Sequence, residues 1–232
     1  MNRVTAQPVA VAWRTDGFAV FDQFVVESLL DPAIADAERA FTAEGRRGAG
    51  VRDALRWPAL RAIADSPRIQ ELAANLAGPG ASPTRAILFD KSPDANWDVA
   101  WHQDTTIAVA AKVDVPGFGP WSVKHGITHV KPPADVLARV ATLRVHLDPC
   151  PRDNGALLVV PGSHARGFIE HADVPACERD AVCCEAGAGG VVAMRPLILH
   201  ASRKAAAPAH RRVLHLEFAA GDLPGGLRWA TA

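Results

Sequence analysis

The chain has 232 residues, a hydrophobic fraction of 49% and 25 basic against 25 acidic side chains. That length suits one domain, 1–232, with a sizeable core. The balanced charge gives no field to hold nucleic acid or an anionic membrane surface, so neither partner is expected. Four cysteines, Cys150, Cys177, Cys183 and Cys184, lack CxxC spacing and are expected as reduced thiols in a cytoplasmic protein. The first residues carry no apolar h-region, and no run of 18 apolar residues follows. No signal peptide and no membrane span are expected.

Residues 1 to about 80 predict one strand and helices. Gly17 to Phe21 reads as a short strand after the turn Thr15-Asp16-Gly17. A helix is expected from about Glu27, with Leu30, Ile34, Ala37 and Phe41 on one face. Asp31-Pro32 suits its first turn, and Gly45 and Gly48 end it. A second helix runs from Ser66, a capping residue before Pro67, to Leu76 and stops at Gly78-Pro79-Gly80.

From about 84 to 220 the texture changes to short apolar runs between turns. Arg85 to Asp90 and Val99 to Val109 are the first two. Ala141 to Leu147 alternates polar and apolar, the period of a half-buried strand. Ala156 to Val160 follows Asp153-Asn154-Gly155, a hairpin signal. Gly189 to Met194 is another strand, and Leu197-Ile198-Leu199 leads into His200. Last, Arg212, Leu214, Leu216 and Phe218 alternate with Arg211, Val213, His215 and Glu217. Many short strands after two helices predict a mainly β fold with flanking α-helices, a double-sheet jelly roll of cupin-like form. The stretch from Lys112 to Pro133, with four prolines and three glycines, reads as a long excursion, a length often used for active-site lids.

The chemistry centres on Trp101-His102-Gln103-Asp104 and the distant His200. In an extended chain, residues two apart point the same way, so His102 and Asp104 face one side together. Two imidazoles and one carboxylate are the facial ligand set of non-haem Fe(II) oxygenases, which leave the opposite face open. A bare His-x-Asp arises often by chance; His200, at the end of an apolar run, strengthens it. Arg211, eleven residues on, places a cation where an acidic cosubstrate needs one. An Arg inside a barrel is costly unless paired, and a carboxylate ligand pairs it with two N–H bonds. Alternation alone leaves two registers open: Arg211 inward with Arg212 solvated, or the reverse.

Other conspicuous residues stay close to ordinary roles. His125 and His129 read as loop histidines, with substrate contact as the alternative. His164 supports a turn. Trp97, Trp101 and Trp121 are core aromatics or walls of a substrate pocket. Lys91 faces the cosubstrate or solvent. Gly187, Gly189 and Gly190 form a turn, because a strand follows them.

Taken in order, several strings resemble the phytanoyl-CoA dioxygenase family of Fe(II)/2-oxoglutarate oxygenases. They are Asp16-Gly17-Phe18, Lys91-Ser92-Pro93 before His102-Gln103-Asp104, Asn154-Gly155-Ala156-Leu157 before Pro161-Gly162-Ser163-His164, and His200-Ala201-Ser202 before Arg211-Arg212. The resemblance implies a double-stranded β-helix, with His102, Asp104 and His200 as the iron ligands and O2 as the oxidant. It implies that Arg211, the first of the pair, anchors the distal carboxylate of 2-oxoglutarate with help from Ser202. It also places Thr142 and Arg144 on a strand that lines the cosubstrate pocket, where an aromatic can stand at the position of Arg144. Halogenating relatives replace the acidic ligand with a small residue, so Asp104 favours hydroxylation of a small molecule, with release of succinate and CO2. Two rival readings remain: a zinc hydrolase or isomerase on a cupin-like barrel, which would not need Arg211, and a metal-free small-molecule-binding barrel.

Overall fold

The computed structural model describes residues 9–45 and 50–232. The N-terminal part comprises α1 (Val9–Thr15), β1 (Phe18–Phe21), α2 (Leu30–Ala43), β2 (Val51–Arg52), α3 (Pro58–Ala64) and α4 (Pro67–Ala77). The strands β3 (Ser82–Lys91), β4 (Val99–His102), β5 (Ile107–Val109), β6 (Trp121–Lys124) and β7 (Ile127–Val130) follow. Then come α5 (Ala134–Leu137), β8 (Val140–His146), β9 (Leu157–Val159), α6 (Val174–Cys177), β10 (Val182–Cys184), β11 (Val191–Met194), β12 (His200–Ser202) and β13 (Arg211–Ala219).

The strands form a six-stranded sheet in the order β1-β11-β8-β13-β3-β2, a four-stranded sheet β10-β9-β12-β4 and a three-stranded sheet β5-β7-β6. Every pairing is antiparallel. The larger two sheets make the jelly roll expected from the sequence, with helices outside.

The six-stranded sheet is two-faced because its central strands alternate. Leu214, Leu216 and Phe218 of β13 and Leu143 and Val145 of β8 point outward into one core with Ala37 and Phe41 of α2, Leu60 and Ile63 of α3, and Ile69 of α4. Burying each large apolar side chain contributes about 1.5–3 kcal/mol, which fixes the register of both strands. The alternate residues must then face inward. Cross-strand rows of β3, β13 and β8 run Lys91–Arg211, Phe89–Val213–His146, Ile87–His215–Arg144 and Arg85–Glu217–Thr142. At the closed end, Phe18, Leu157, Val159, Val192, Met194 and Ile198 fill the space between the sheets.

Several sequence expectations need correction. The run 141–147 is buried on both faces, not half-buried, because the second face meets the interior rather than water. Asn154-Gly155 is no two-residue hairpin: β8 lies in the six-stranded sheet, while β9 pairs with β10 and β12. The turn carries the chain between sheets, and Gly155 takes a φ of 70° with the Arg203 carbonyl only 2.8 Å from where a Cβ would stand. Residues 197–199 approach His200 without strand structure, and 99–109 splits into β4 and β5. The excursion 112–133 is not featureless; it folds the β6–β7 hairpin onto β5. Helices α1 and α3 are additional, too short to show a period. Ser66 precedes α4 as expected, but its hydroxyl donates to the Ile63 carbonyl instead of capping. The helix expected from Glu27 is a 3-10 turn followed by α2, which ends near Gly45. Gly48 lies outside the described residues.

His146 shows what the inward face costs. Neither of its ring nitrogens has a partner among the described residues. Burial, with Arg144 and Arg211 close by, lowers its pKa from 6.5 to about 3. The unfolded chain therefore binds a proton that the fold refuses between those values, and stability falls as pH drops through that window. Chemical denaturation at pH 7.5 and pH 5 should show that His146→Leu loses about 2 kcal/mol less than the parent on acidification. Equal acid sensitivity of the two proteins would mean that the ring is solvated.

Candidate metal and cosubstrate site

His102 closes β4 and His200 opens β12, and the two are directly paired across the four-stranded sheet. Their rings stand side by side, with centroids 4.2 Å apart. The His102 Nδ1–H donates to the Ala100 carbonyl at 2.8 Å, and the His200 Nδ1–H donates to the Ile198 carbonyl at 2.9 Å. Each ring is thereby fixed with its Nε2 lone pair free, the orientation metal-binding histidines use. Asp104 lies just past the end of β4, held by its N–H to the Pro196 carbonyl at 2.9 Å. One ligand atom from each of His102, Asp104 and His200 lies within 4.8 Å of the others.

Gln103, between the two, works as a clamp. Its amide donates to the carbonyls of Gly167 and Leu197 at 2.8 and 2.6 Å, and its oxygen accepts the Ile169 N–H at 2.9 Å. The middle residue of the motif thus fixes the turn that aims Asp104.

Burial by itself raises the Asp104 carboxyl, but His200, His215, Arg85 and His102 outweigh it and hold the pKa well below the usual carboxylate range. Burial lowers the His200 pKa to about 4, against the opposing pull of Asp104. Two imidazoles with their Nε2 atoms free and an ionised carboxylate suit a divalent cation. The Asp104 Oδ2 is buried with no hydrogen-bond partner, though it lies 3.8 Å from the His200 Nε2. These three residues fit Fe(II) in ligand type and arrangement. A second grouping, Asp104 with His215 and Glu217, is also compact, but its side chains are otherwise engaged. The His215 nitrogens contact Arg144 at 3.1 Å and Glu217 at 3.4 Å, and Glu217 pairs with Arg85 at 2.7 Å.

The same cavity, about 440 Å³, is lined by Arg211, Ser202, Arg144 and His215 beside the three residues above. The inward register of β13 is settled by Arg212, which is not solvated. It grips Asp148 from the outer side through Nε at 2.7 Å and a terminal nitrogen at 2.6 Å, and reaches Glu38 at 2.9 Å. Arg211 is 3% exposed and donates to the Gly155 carbonyl and the Ser202 hydroxyl. Its Nε and that of Arg144 are buried without a partner. No carboxylate forms an ion pair with either guanidinium among the described residues. Burial lowers the pKa of Arg144 to about 10, with Arg211 adding to the shift. Two desolvated cations facing one cavity fit a dicarboxylate such as 2-oxoglutarate.

Lys91 resolves toward the cosubstrate region: it is fully buried. Its ammonium donates to the Ser202 hydroxyl at 2.8 Å and the Arg203 carbonyl at 2.7 Å. Burial and Arg211 pull its pKa to about 8. Thr142 sits one row past Arg144, paired with Glu217 and remote from Arg211, and its hydroxyl has no partner. Trp97 lines the cavity, whereas Trp101 packs near Leu199 and Trp121 joins the core under β5 and β7. His129 lines the cavity too, while His125 is exposed at the hairpin tip. His164 packs beneath Gly17, where a Cβ would meet its ring at 2.2 Å, which accounts for the glycine in Asp16-Gly17-Phe18.

Sequence reasoning missed Arg52, Arg85, Phe89, Lys124 and His215, all of which line the cavity. For His215 the signal was present, since it shares the inward face of β13 with Arg211.

The architecture is similar to several solved structures. AviO1 from Streptomyces viridochromogenes Tue57 is 26% identical, with 95% of this chain and 99% of that chain covered and a TM-score of 0.68. The non-haem α-ketoglutarate-dependent carbocyclase SnoK from nogalamycin biosynthesis is 20% identical, with 94% and 85% covered and a TM-score of 0.71. The epimerase SnoN, solved with Fe3+, α-ketoglutarate and a nogalamycin compound, is 21% identical, with 96% and 93% covered and a TM-score of 0.70. No curated protein sequence matches the chain. The family model described as phytanoyl-CoA dioxygenase (PhyH) matches residues 13–213. The chain therefore belongs to the phytanoyl-CoA dioxygenase family, non-haem oxygenases that use Fe(II), 2-oxoglutarate and O2.

Proposed function

We propose that the protein is a hydroxylase of a small molecule, with one oxygenase domain over residues 1–232. In this reading His102, Asp104 and His200 hold Fe(II), and Arg211 with Ser202 and Arg144 receives 2-oxoglutarate. One observation carries it: three mutually close ligand atoms share a cavity with two buried guanidiniums that have no carboxylate partner. A zinc hydrolase would have no use for that second feature. The balanced reaction is substrate C–H plus 2-oxoglutarate plus O2 giving C–OH, succinate and CO2. Bound iron and cosubstrate supply the redox chemistry.

The chain's own residues position and insulate. Arg211 offers a planar fork that matches one carboxylate, an arrangement Lys lacks. Lys91 and the Gly155 carbonyl hold the Ser202 hydroxyl in place beside it. Phe89, Trp97, Val99 and Leu157 give the cavity apolar walls that limit water. His129 donates its Nδ1–H to the Ile127 carbonyl at 3.0 Å, which leaves Nε2 as an acceptor for a substrate hydroxyl or amine. Burial lowers its pKa, which favours the neutral ring that role needs. The β6–β7 hairpin contributes Lys124, Ile127 and His129 to the cavity wall, and we assign the segment 112–133 as its cover. A carboxylate at 104, instead of a small residue that admits halide, supports oxygen transfer. Four free thiols support a reducing, cytoplasmic setting; among the described residues no helix is long and apolar enough to cross a membrane.

Asp104→Ala should abolish stoichiometric Fe(II) binding and 2-oxoglutarate-dependent succinate formation. Full retention of both would remove Asp104 from the ligand set. The two arginines should separate cleanly. Arg211→Ala should raise the 2-oxoglutarate concentration that half-saturates the anaerobic Fe(II) charge-transfer band by tenfold or more, about 1.4 kcal/mol. Arg212→Ala should leave that midpoint nearly unchanged and lower stability by about 3 kcal/mol, because Asp148 loses its partner. The reverse order would place the cosubstrate on the other face of β13.

A further inference from the structure

The inward face of β3 carries a cation at each end. Lys91 stands beside Arg211 at the cosubstrate end. Arg85, six residues away on the same face, lies about 20 Å along the strand. Arg52 joins Arg85 from the edge strand β2, where it pairs directly with Ile87 and so shares the inward face. Lys124, at the end of β6, approaches from the hairpin that covers the cavity. All three line the same cavity as the candidate metal ligands, but none lies near Arg211 in the cross-strand rows.

The partners of these cations are unequal. Arg85 forms an ion pair with Glu217 at 2.7 Å, with side-chain exposures of only 13% and 3%. Its Nε remains buried and unpartnered. The Arg52 side chain is half-buried and forms no hydrogen bond or ion pair among the described residues, and its Nε is also sequestered. Burial first, then the neighbouring Arg85, lowers its pKa. A desolvated guanidinium held next to a second one is unfavourable unless an anion joins them. Apart from Asp104, which belongs to the candidate metal set although it lies close to Glu217, two carboxylates stand against the three cations, Glu217 beneath them and Asp53 at the exposed rim. One positive charge is left in excess, which suits a monoanion better than a dianion.

We propose that Arg52, Arg85 and Lys124 form an anion subsite at the outer end of the cavity, and that the substrate carries a carboxylate or similar monoanionic group seated there. This inference rests on the oxygenase reading for the word substrate, but the subsite itself does not depend on iron. The chain's balanced net charge conceals it, because the excess is local. The group would be bound by the free fork of Arg52 and the remaining N–H of Arg85. It would tether the rest of the molecule between the apolar walls, toward His102, Asp104 and His200.

The test uses the iron-loaded protein under anaerobic conditions with saturating 2-oxoglutarate, so that the cosubstrate position is filled. Calorimetry compares benzoate, 3-phenylpropionate and benzenesulfonate with their neutral amides, and with phenylphosphonate. At least one acid should bind tenfold or more tightly than its amide. That preference should fall to less than threefold in Arg52→Gln and weaken in Lys124→Gln, with the charge-transfer midpoint for 2-oxoglutarate unchanged in both. Arg52→Lys should retain an intermediate preference, since it keeps the charge and loses the fork. No binding by any acid, equal binding of acids and amides, or a preference that survives Arg52→Gln overturns the proposal. So does a preference lost only in Arg211→Ala, which would put the acids in the cosubstrate position. A phosphonate that outcompetes every monoanion overturns the assignment of charge. If no charge-transfer band forms, the oxygenase reading fails by itself, and the same titrations still decide the subsite.

Discussion

The alternation of β13 is the constraint on which the rest depends. Its outward residues, Leu214, Leu216 and Phe218, are completely buried against the helices. A slip of one residue would turn them into the polar cavity and drive Arg211, His215 and Glu217 into an apolar layer. Hydrophobic burial on one face therefore determines which charged groups enter the barrel on the other. Arg212 reinforces the choice from outside, because its grip on Asp148 holds only in this register. The reactive face is in this sense a by-product of the packing on the opposite one, stabilised by residues that never touch a ligand.

Much of this was legible in the sequence because it is local or periodic. The two faces of β13 follow from a strict period of two, and the His-x-Asp spacing brings two donors together within three residues. What the sequence hides is pairing across distance. Nothing in Leu197-Ile198-Leu199 indicates that His200 will face His102 in register. Asn154-Gly155 carries the signature of a tight hairpin, yet its turn serves a crossing between sheets, and the glycine is needed for a close approach to the 203 carbonyl. The stretch 112–133 has the composition of a loop, because edge strands such as β6 tolerate the prolines and glycines around them. Arg52 was invisible for a simpler reason: a two-residue strand has no period at all.

The inward face is one place where this fold departs from ordinary hydrogen-bond economy; the ring nitrogens of Trp13, Trp57, Trp101 and His164 do so elsewhere. Buried polar atoms nearly always find partners. Here Asp104 Oδ2, the Nε atoms of Arg52, Arg85, Arg144 and Arg211, the Thr142 hydroxyl and both His146 nitrogens do not. All belong to residues on the inward face or at the cavity wall. The surrounding polar atoms that are satisfied, those of Gln103, Ser202 and Lys91, hold backbone and neighbouring side chains in place. Those satisfied groups build the frame, and the unpartnered atoms of Asp104, Arg52, Arg85, Arg144 and Arg211 belong to residues that line the cavity.

That division bears on how charge is arranged along the cavity. Arg211 and Lys91 form one positive pole and Arg52 and Arg85 another, and Asp104, with His102 and His200, lies close to His215 and Glu217 on the side of the second. Arg144 shares the row of Ile87 and His215 with Arg52, from the opposite end of that row, and lies within 3.1 Å of the His215 ring. A cation in that row cannot be neutralised by Glu217, which already serves Arg85. Its field instead favours an anionic group between the Arg211 pole and Asp104. A dicarboxylate held at one end by Arg211, as proposed, would present its second carboxylate there, and Arg144 would then orient the near end of that molecule. An aromatic residue at 144 would supply a wall without a charge. In the proposed reading the arginine would favour an acid at both ends of the cosubstrate, and would leave Arg52 and the remaining N–H of Arg85 for the substrate.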